Sequence, residues 1–394
     1  MITLNNHIDS VKQSGTVALA DRVRQLERQG KRIIPLHTGD PDFNTPALII
    51  EASARAIQNG LTHYSNSRGL TELREAISEY LKIYNNASFD PGSEILVTQG
   101  GIHAYFLALT SIINEGDEVL IPDPTWMSHP NIIKLVGGIP IPVASSGIEN
   151  LLPSIEDLER KISSHTKAVV INSPGNPTGE IATKEYFSQL MQLAERHDLF
   201  IISDEVYDQF VFEGSGFCSA TSFPEAKHRL ILINSFSKTF AMTGWRIGYL
   251  AAPKNIIDNA LKVSQSTITN VVPFIQKAAL EGLTNKAVWP EVEKMRKQYE
   301  WRANEVMKLF SNSKNTLISF KKPKGAFYFF IDIRKLNWGN SEQTAARILD
   351  ELSIAVVPGT VFGQAGEGYV RATFAAADEL VLEGFSRLLN IASA

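Results

Sequence analysis

With one cysteine, Cys218, in 394 residues, neither an intrachain disulfide nor a cysteine-based metal site is open to this chain. Its apolar runs stay well short of the ~20 residues that a membrane-crossing helix needs. Positive charge is not in excess. Lys and Arg number 38 against 42 Asp and Glu, a formal net charge of −4, which argues against binding nucleic acid or a membrane surface. Low-complexity tracts and internal repeats are missing too, and no metal is expected. The first residues, Met1 to His7, are polar and lack the apolar core of a signal peptide, so a cytoplasmic location is the expectation.

What is present is an alternation of strand-like and helix-like segments. Apolar runs at 94–98, 118–121, 167–172, 199–203 and 230–233 read as buried strands. Between them lie stretches with helical spacing, among them 71–84, 102–113 and 183–197. Strand–helix alternation of this kind builds a largely parallel sheet. Beyond Ala252 the pattern changes to long helices at 254–264, 274–283 and 286–310. Short strands are then expected at 316–320, 327–331, 354–357 and 369–373, with helices at 342–352 and 378–391. The fold class expected is α/β, a large domain over 46–285 with a helix-flanked sheet. Residues 1–45 and 286–394 form a smaller α+β domain.

The most informative stretch is Leu230 to Ala252. A strand ends abruptly in Asn234-Ser235-Phe236-Ser237-Lys238-Thr239, and Arg246 precedes a second apolar run. Seryl hydroxyls and a guanidinium are good phosphate ligands. A lysine beside them in apolar surroundings can be pulled toward its reactive neutral form. A phosphate with an amine-reactive aldehyde describes pyridoxal phosphate. Other segments supply matching parts. Gly100-Gly101 open a helix after a strand, where backbone N–H groups can approach an anion, and Ile102 follows them. Asp204 follows the strand at 199–203, and a carboxylate there can keep a pyridine nitrogen protonated. Gly100 and Gly101, Asn176, Asp204, and Ser235 with Lys238 all fall at carboxyl ends of expected strands, where parallel sheets bind ligands. Glu205 points the other way on an extended chain and reads as structural, as does His103.

The string from Ser235 to Tyr249, SFSKTFAMTGWRIGY, resembles the lysine signature of class I/II pyridoxal-phosphate aminotransferases of fold type I. Asn176-Pro177-Thr178-Gly179 and the stretches Pro358 to Gly363 and Gly368 to Phe374 are similar to further regions of that family. The resemblance implies that Lys238 carries the cofactor, Asp204 faces the pyridine nitrogen, and Tyr207 contacts the phenolic oxygen. It also implies that Asn176 donates to that oxygen, Trp126 stacks on the ring, and Ser235, Ser237, Arg246, Gly100, Gly101 and Ile102 surround the phosphate. Arg371, with Asn176, Trp126 and Gly39, would receive the substrate, Arg371 gripping its α-carboxylate. Tyr64 would reach the phosphate of a neighbouring subunit, implying a homodimer. The implied activity moves an amino group from an L-amino acid to a 2-oxo acid such as 2-oxoglutarate, in two half-reactions. Trp126 and Thr16 are reminiscent of the bacterial aspartate branch. No definite arginine or lysine stands out for a substrate's side-chain carboxylate; Arg68 and Lys134 are candidates, although an ion pair is the plainer role for Arg68. Two other readings share these residues: a β-lyase or cyclase on the same scaffold, and a pyridoxal-binding regulator. The residues before Gly39 are too few for the DNA-binding domain that such a regulator would carry.

Overall fold

The computed structural model describes the backbone of residues 6–9, 11, 15–145, 151–314 and 316–391. Its strands are β1 (Ile34–Pro35), β2 (Ile95–Thr98), β3 (Glu118–Asp123), β4 (Ile139–Ala144), β5 (Thr166–Asn172) and β6 (Phe200–Asp204). They continue with β7 (Leu230–Ser235), β8 (Gly248–Ala251), β9 (Tyr328–Asp332), β10 (Ile354–Ala355), β11 (Val357–Pro358) and β12 (Tyr369–Thr373). Seven of these form one sheet in the order β2-β8-β7-β6-β5-β3-β4.

Six of the seven strands run parallel, and β8 is antiparallel to both its neighbours, β2 and β7. A parallel crossover usually carries a helix that spans the sheet. Between β7 and β8 the chain forms only the one-turn helix Phe236–Thr239 and a short 3-10 turn, with no helix long enough to carry it back along the sheet, and it doubles back. The central strands β5 and β7 are buried along almost their whole length, as expected for strands covered on both faces. Alternate residues face opposite cores. Ala168 and Val170 pack with Leu107 and Ile256 from the helices Gly101–Ile112 and Lys254–Thr267. Val169 and Ile171 pack with Phe187 and Leu190 of the helix Lys184–Arg196. Thr183 caps that helix by accepting a bond from the Tyr186 N–H.

The edge strand β4 is absent from the sequence expectation, and it carries Pro140 and Pro142, residues that seldom enter a sheet. The structure explains how they are tolerated. Ile139 donates its N–H to Asp117 O at 2.8 Å and Ser145 to Asp123 O at 3.1 Å, so odd-numbered residues face β3. The even-numbered prolines turn their missing N–H toward the free edge. The other differences are smaller. From the spacing of Ser154 and Asp157 a helix capped by Ser154 is expected to reach Ile162; it ends at Glu159, and the Asp157 carboxylate accepts the Ser154 hydroxyl. The strand expected at 316–320 reduces to a single bridge, Ser319 to Asp332. The run 354–357 divides at Val356, because β10 pairs with β1 while β11 pairs with β12.

Residues from both ends of the chain meet in this second region. Ile34 pairs with Ile354 in a parallel two-stranded sheet, and β11-β12-β9 form an antiparallel sheet beside it. The helix Trp289–Asn312 carries Pro290 in its first turn, where the missing N–H costs no intrahelical bond. Among the described residues no helix is long and apolar enough to cross a membrane.

Glu205 is fully buried behind the sheet, in a polar cluster. Ser203 Oγ donates to its carboxylate at 2.8 Å and the Ala220 N–H at 2.9 Å, while Asn85 bridges to Ser219. Burial is the main cause that pushes this carboxyl up to about 7. Asp208, bonded to Tyr80 and Asn234, is raised to about 6 for the same reason. A folded-state pKa above the unfolded one means that the fold binds the proton more tightly. That contribution is complete below the unfolded value and is lost as pH rises through the folded one. The urea midpoint should therefore fall between pH 5 and pH 8. Glu205→Gln should remove on the order of 3 kcal/mol of that dependence. A pH dependence of the midpoint that Glu205→Gln leaves the same as in wild type would contradict the assignment.

Candidate active site

The carboxyl ends of β2, β3, β5, β6 and β7 open into one cavity of about 430 Å³, closed on its far side by residues of β9, β12 and the N-terminal segment. Gly101 and Ile102 line it after β2, Trp126 after β3, Asn172 and Asn176 after β5, and Asp204 and Tyr207 at the end of β6. Ser235, Ser237 and Lys238 come from β7 and the turn beyond it, and Arg246 from the return toward β8. His37, Gly39, Tyr328, Phe362 and Arg371 complete the opposite wall.

Two glycines are required here by contact. A Cβ on Gly100, whose φ is +83°, would sit 2.8 Å from Arg246 Nη2, and one on Gly39 would sit 2.8 Å from the Tyr328 hydroxyl. Gly100 therefore lets the guanidinium lie against the N-terminus of the helix Gly101–Ile112. Arg246 itself has a left-handed backbone, φ 55°, an uncommon state for a non-glycine residue, and donates to Thr243 O at 2.8 Å. Ser235 Oγ lies 2.8 Å from Ser237 Oγ and accepts the Ser237 N–H. Two hydroxyls, a guanidinium and a helix N-terminus thus share one corner of the cavity.

Lys238 Nζ donates to Gly39 O. Loss of water around the ammonium lowers its pKa to about 8. Asp40 opposes this, while the charges of Arg371 and Arg246 add to it. Arg371 is buried, and no described carboxylate pairs with it. Its Nη1 donates to Asn176 Oδ1 at 3.0 Å and its Nη2 to His37 O at 2.7 Å. The guanidinium lies over the rings of Tyr328 and Phe362, 4.3 and 4.9 Å from their centroids. Because Asn176 Oδ1 is engaged by Arg371, its amide N–H₂ is the end left to donate. The Tyr207 and Tyr328 hydroxyls are 2.8 Å apart. Asp204 Oδ2 lies 3.2 Å from His129 Nε2, and His129 Nδ1 lies 2.9 Å from Thr125 Oγ1, all three residues being buried. Trp126 meets the His129 ring edge-on at 5.3 Å.

Nearly every residue expected at the site is therefore brought together. Tyr64 is not: it is 87% exposed and lies outside this chain's own cavity. Arg68 and Lys134 are also outside it, and Arg68 is held by Asp258 and the Ser93 carbonyl. His103 accepts the Gln99 N–H through Nδ1 at the start of its helix. Thr16 lies in the helix Gly15–Arg28, but its side chain is outside the described set. Arg24, His37, His129, Tyr328 and Phe362 are the residues that sequence reasoning missed.

The profile of the aminotransferase class I and II family matches residues 31–387. The chain belongs to that family. It is a pyridoxal-phosphate-dependent aminotransferase of fold type I. An aspartate aminotransferase of Pyrococcus abyssi is 41% identical over 390 residues, 99% of this chain and 98% of that one. An aromatic-amino-acid aminotransferase of Thermococcus litoralis is 38% identical, again over 99% and 98%. The solved structure of the Thermus thermophilus aspartate aminotransferase with maleate superposes with a TM-score of 0.92 at 36% identity, over 99% of each chain. The aminotransferase thus has relatives named for both acidic and aromatic substrates.

Proposed function

We propose that this aminotransferase moves an amino group between an L-amino acid and a dicarboxylic 2-oxo acid, with Lys238 as the residue that carries pyridoxal phosphate. The observation that carries this reading is the setting of Lys238. It lies in a single cavity with the serine and Arg246 corner and with a buried arginine that lacks a carboxylate partner. The residues fit the cofactor. Ser235, Ser237, Arg246 and the backbone at Gly100 to Ile102 suit its phosphate, Asp204 its pyridine nitrogen, Trp126 its ring face, and Tyr207 with the Asn176 amide its phenolic oxygen. When bound, pyridoxal phosphate supplies an aldehyde that takes up the amino group and a ring that accepts the electrons of the broken Cα–H bond. Arg371 and Asn176 orient the substrate's α-carboxylate, and Gly39 leaves room beside it. The Lys238 amine would take the proton from Cα and pass it to the cofactor's former aldehyde carbon within the same half-reaction, and the second half-reaction would run that transfer in reverse.

The acceptor is tested by loading the protein with pyridoxamine phosphate and adding 2-oxo acids singly. Return of the pH-sensitive absorbance should be fastest with 2-oxoglutarate or oxaloacetate. A return seen only with monocarboxylic acids would refute the dicarboxylic assignment.

We place the active form as a cytoplasmic homodimer in which Tyr64 serves the neighbouring cavity. The support is its exposure together with its absence from the wall of its own chain's cavity. Tyr64→Ala and Lys238→Ala proteins, mixed and refolded together, should regain activity, since each mixed dimer holds one site with both native residues. An active monomer in sedimentation would count against this. The division into 46–285 and 1–45 with 286–394 accompanies this reading, because the cavity draws on both parts. Hydrogen exchange should slow together at 1–45 and 286–394 when a substrate analogue binds, and slowing confined to one of the two would oppose the division.

A further inference from the structure

Four cationic side chains line the cavity: Arg24, Lys238, Arg246 and Arg371. Cofactor attachment, the phosphate and the α-carboxylate account for three of them. Arg24 is left over. It stands one turn beyond Ala20 on the helix Gly15–Arg28, so both project from one face toward the cavity. Its partner is Asp21, three residues earlier, and both side chains are more than half exposed. Exposed pairs of this kind contribute well under about 1 kcal/mol, so the guanidinium is readily exchanged onto another anion.

A second observation points to the same place. His37 is 5% exposed, lines the cavity, and has its Nδ1 buried without a hydrogen-bond partner. A buried polar atom left unpaired is costly, and one that lines a ligand cavity is relieved when a ligand supplies the partner. Burial is the main cause that lowers this imidazole to about 4, with the charges of Arg371 and Arg24 acting the same way. At neutral pH His37 therefore offers a hydrogen bond and no charge. Arg24 is near enough for its charge to be felt there. The cavity wall also carries the apolar Ala20, Ile102, Met127 and Phe362, with Thr38 and Thr243 as neutral polar groups. They would accept the carbon skeleton of a side chain and give no reason for a cation among them.

On the aminotransferase reading above, we propose that Arg24, with the His37 imidazole beside it, reads the distal carboxylate of acidic amino acids and dicarboxylic 2-oxo acids. Lys134 and Arg68, the two cations the sequence offered for that task, are outside the cavity. Arg24 binds substrate and takes no part in proton transfer.

The test compares kcat/KM for L-glutamate, L-aspartate and L-phenylalanine in wild type, Arg24→Leu and Arg24→Lys. Dissociation constants of a non-reacting dicarboxylate are measured by calorimetry on the same proteins. Loss of a charge-assisted bond should lower the acidic-to-phenylalanine ratio about 10- to 100-fold in Arg24→Leu, mainly through KM. Arg24→Lys should fall between, and the dicarboxylate should weaken in parallel. His37→Leu should lower the same ratio by a smaller factor, about 3- to 10-fold. An unchanged ratio, or an equal fall for all three amino acids, would overturn the proposal. If wild type transferred no amino group from any of the three, the function reading would fail and not the assignment of Arg24 alone.

Discussion

Replacing Lys238 by alanine should lower amino transfer by roughly four orders of magnitude or more, the largest loss expected from any single side chain in this protein. Two contributions are removed at once. On the reading proposed above, the amine holds the cofactor covalently and moves the proton at the substrate's Cα. The variant should also lack the pH-sensitive absorbance of wild type, while the serine and Arg246 corner still retains the phosphate. The pKa of Lys238, lowered to about 8, adds a pH signature. For a cation with a depressed pKa, the reactive neutral form is the minor species below that value. Uptake of pyridoxal phosphate by the cofactor-free protein should therefore accelerate about tenfold per pH unit up to about pH 8 and level off above it. A loading rate independent of pH between 6 and 8 would contradict the lowered pKa. Wild-type-like transfer by Lys238→Ala would remove the basis of the whole assignment.

The parts of the fold that could be read from sequence are those where local pattern and final environment agree. Strands β5, β6 and β7 are apolar runs because both their faces are covered, and they lie within a residue or two of their expected positions. The helix Thr71–Asn85 differs from expectation by one residue, since Asn86 in a left-handed conformation ends it. The misreadings arise where tertiary pairing overrides local pattern. Two prolines hide β4, whose place at a sheet edge is not a local property. The apolar run 354–357 looks like one strand, yet its two halves serve different sheets. The single antiparallel strand β8 was foreshadowed by the lack of a helix-length periodic segment between β7 and β8, a signal present in the sequence but not used.

The site divides in the same way. Lys238, Ser235, Ser237 and Arg246 are neighbours in the chain, so their joint chemistry is visible before any folding. Arg24, His37 and Tyr328 reach the cavity from elements far apart in sequence, and each is an ordinary residue where it stands. Nothing local separates Arg24 from the other charges of an amphipathic helix. His129 is an intermediate case. Thr125 lies just beyond a strand end and His129 in the first turn of the next helix, close enough in sequence for their side chains to meet at 2.9 Å.

The second large effect is expected at Asp204, and the His129 contact sharpens it. On the reading proposed here, the Asp204 carboxylate stabilises positive charge on the pyridine nitrogen as the Cα–H bond breaks. Removing one preorganised charge from a water-poor site costs roughly 10²- to 10³-fold in rate. Asp204→Ala should still take up the cofactor through Lys238 and the phosphate corner, but wash deuterium from the substrate's α-carbon slower by that factor. Asp204→Asn separates charge from shape. It keeps a partner for His129 Nε2, at 3.2 Å in the native chain, yet should be nearly as slow as alanine, because the amide carries no charge. His129→Leu leaves the carboxylate charged and removes the contact that holds it. That variant should lose only about tenfold, since His129 acts by positioning. The order of washout rates is then wild type, His129→Leu, Asp204→Asn, Asp204→Ala. Were Asp204→Asn to match wild type, hydrogen bonding and not charge would be what the ring requires. Were His129→Leu as slow as Asp204→Ala, the imidazole would have to act on the cofactor directly.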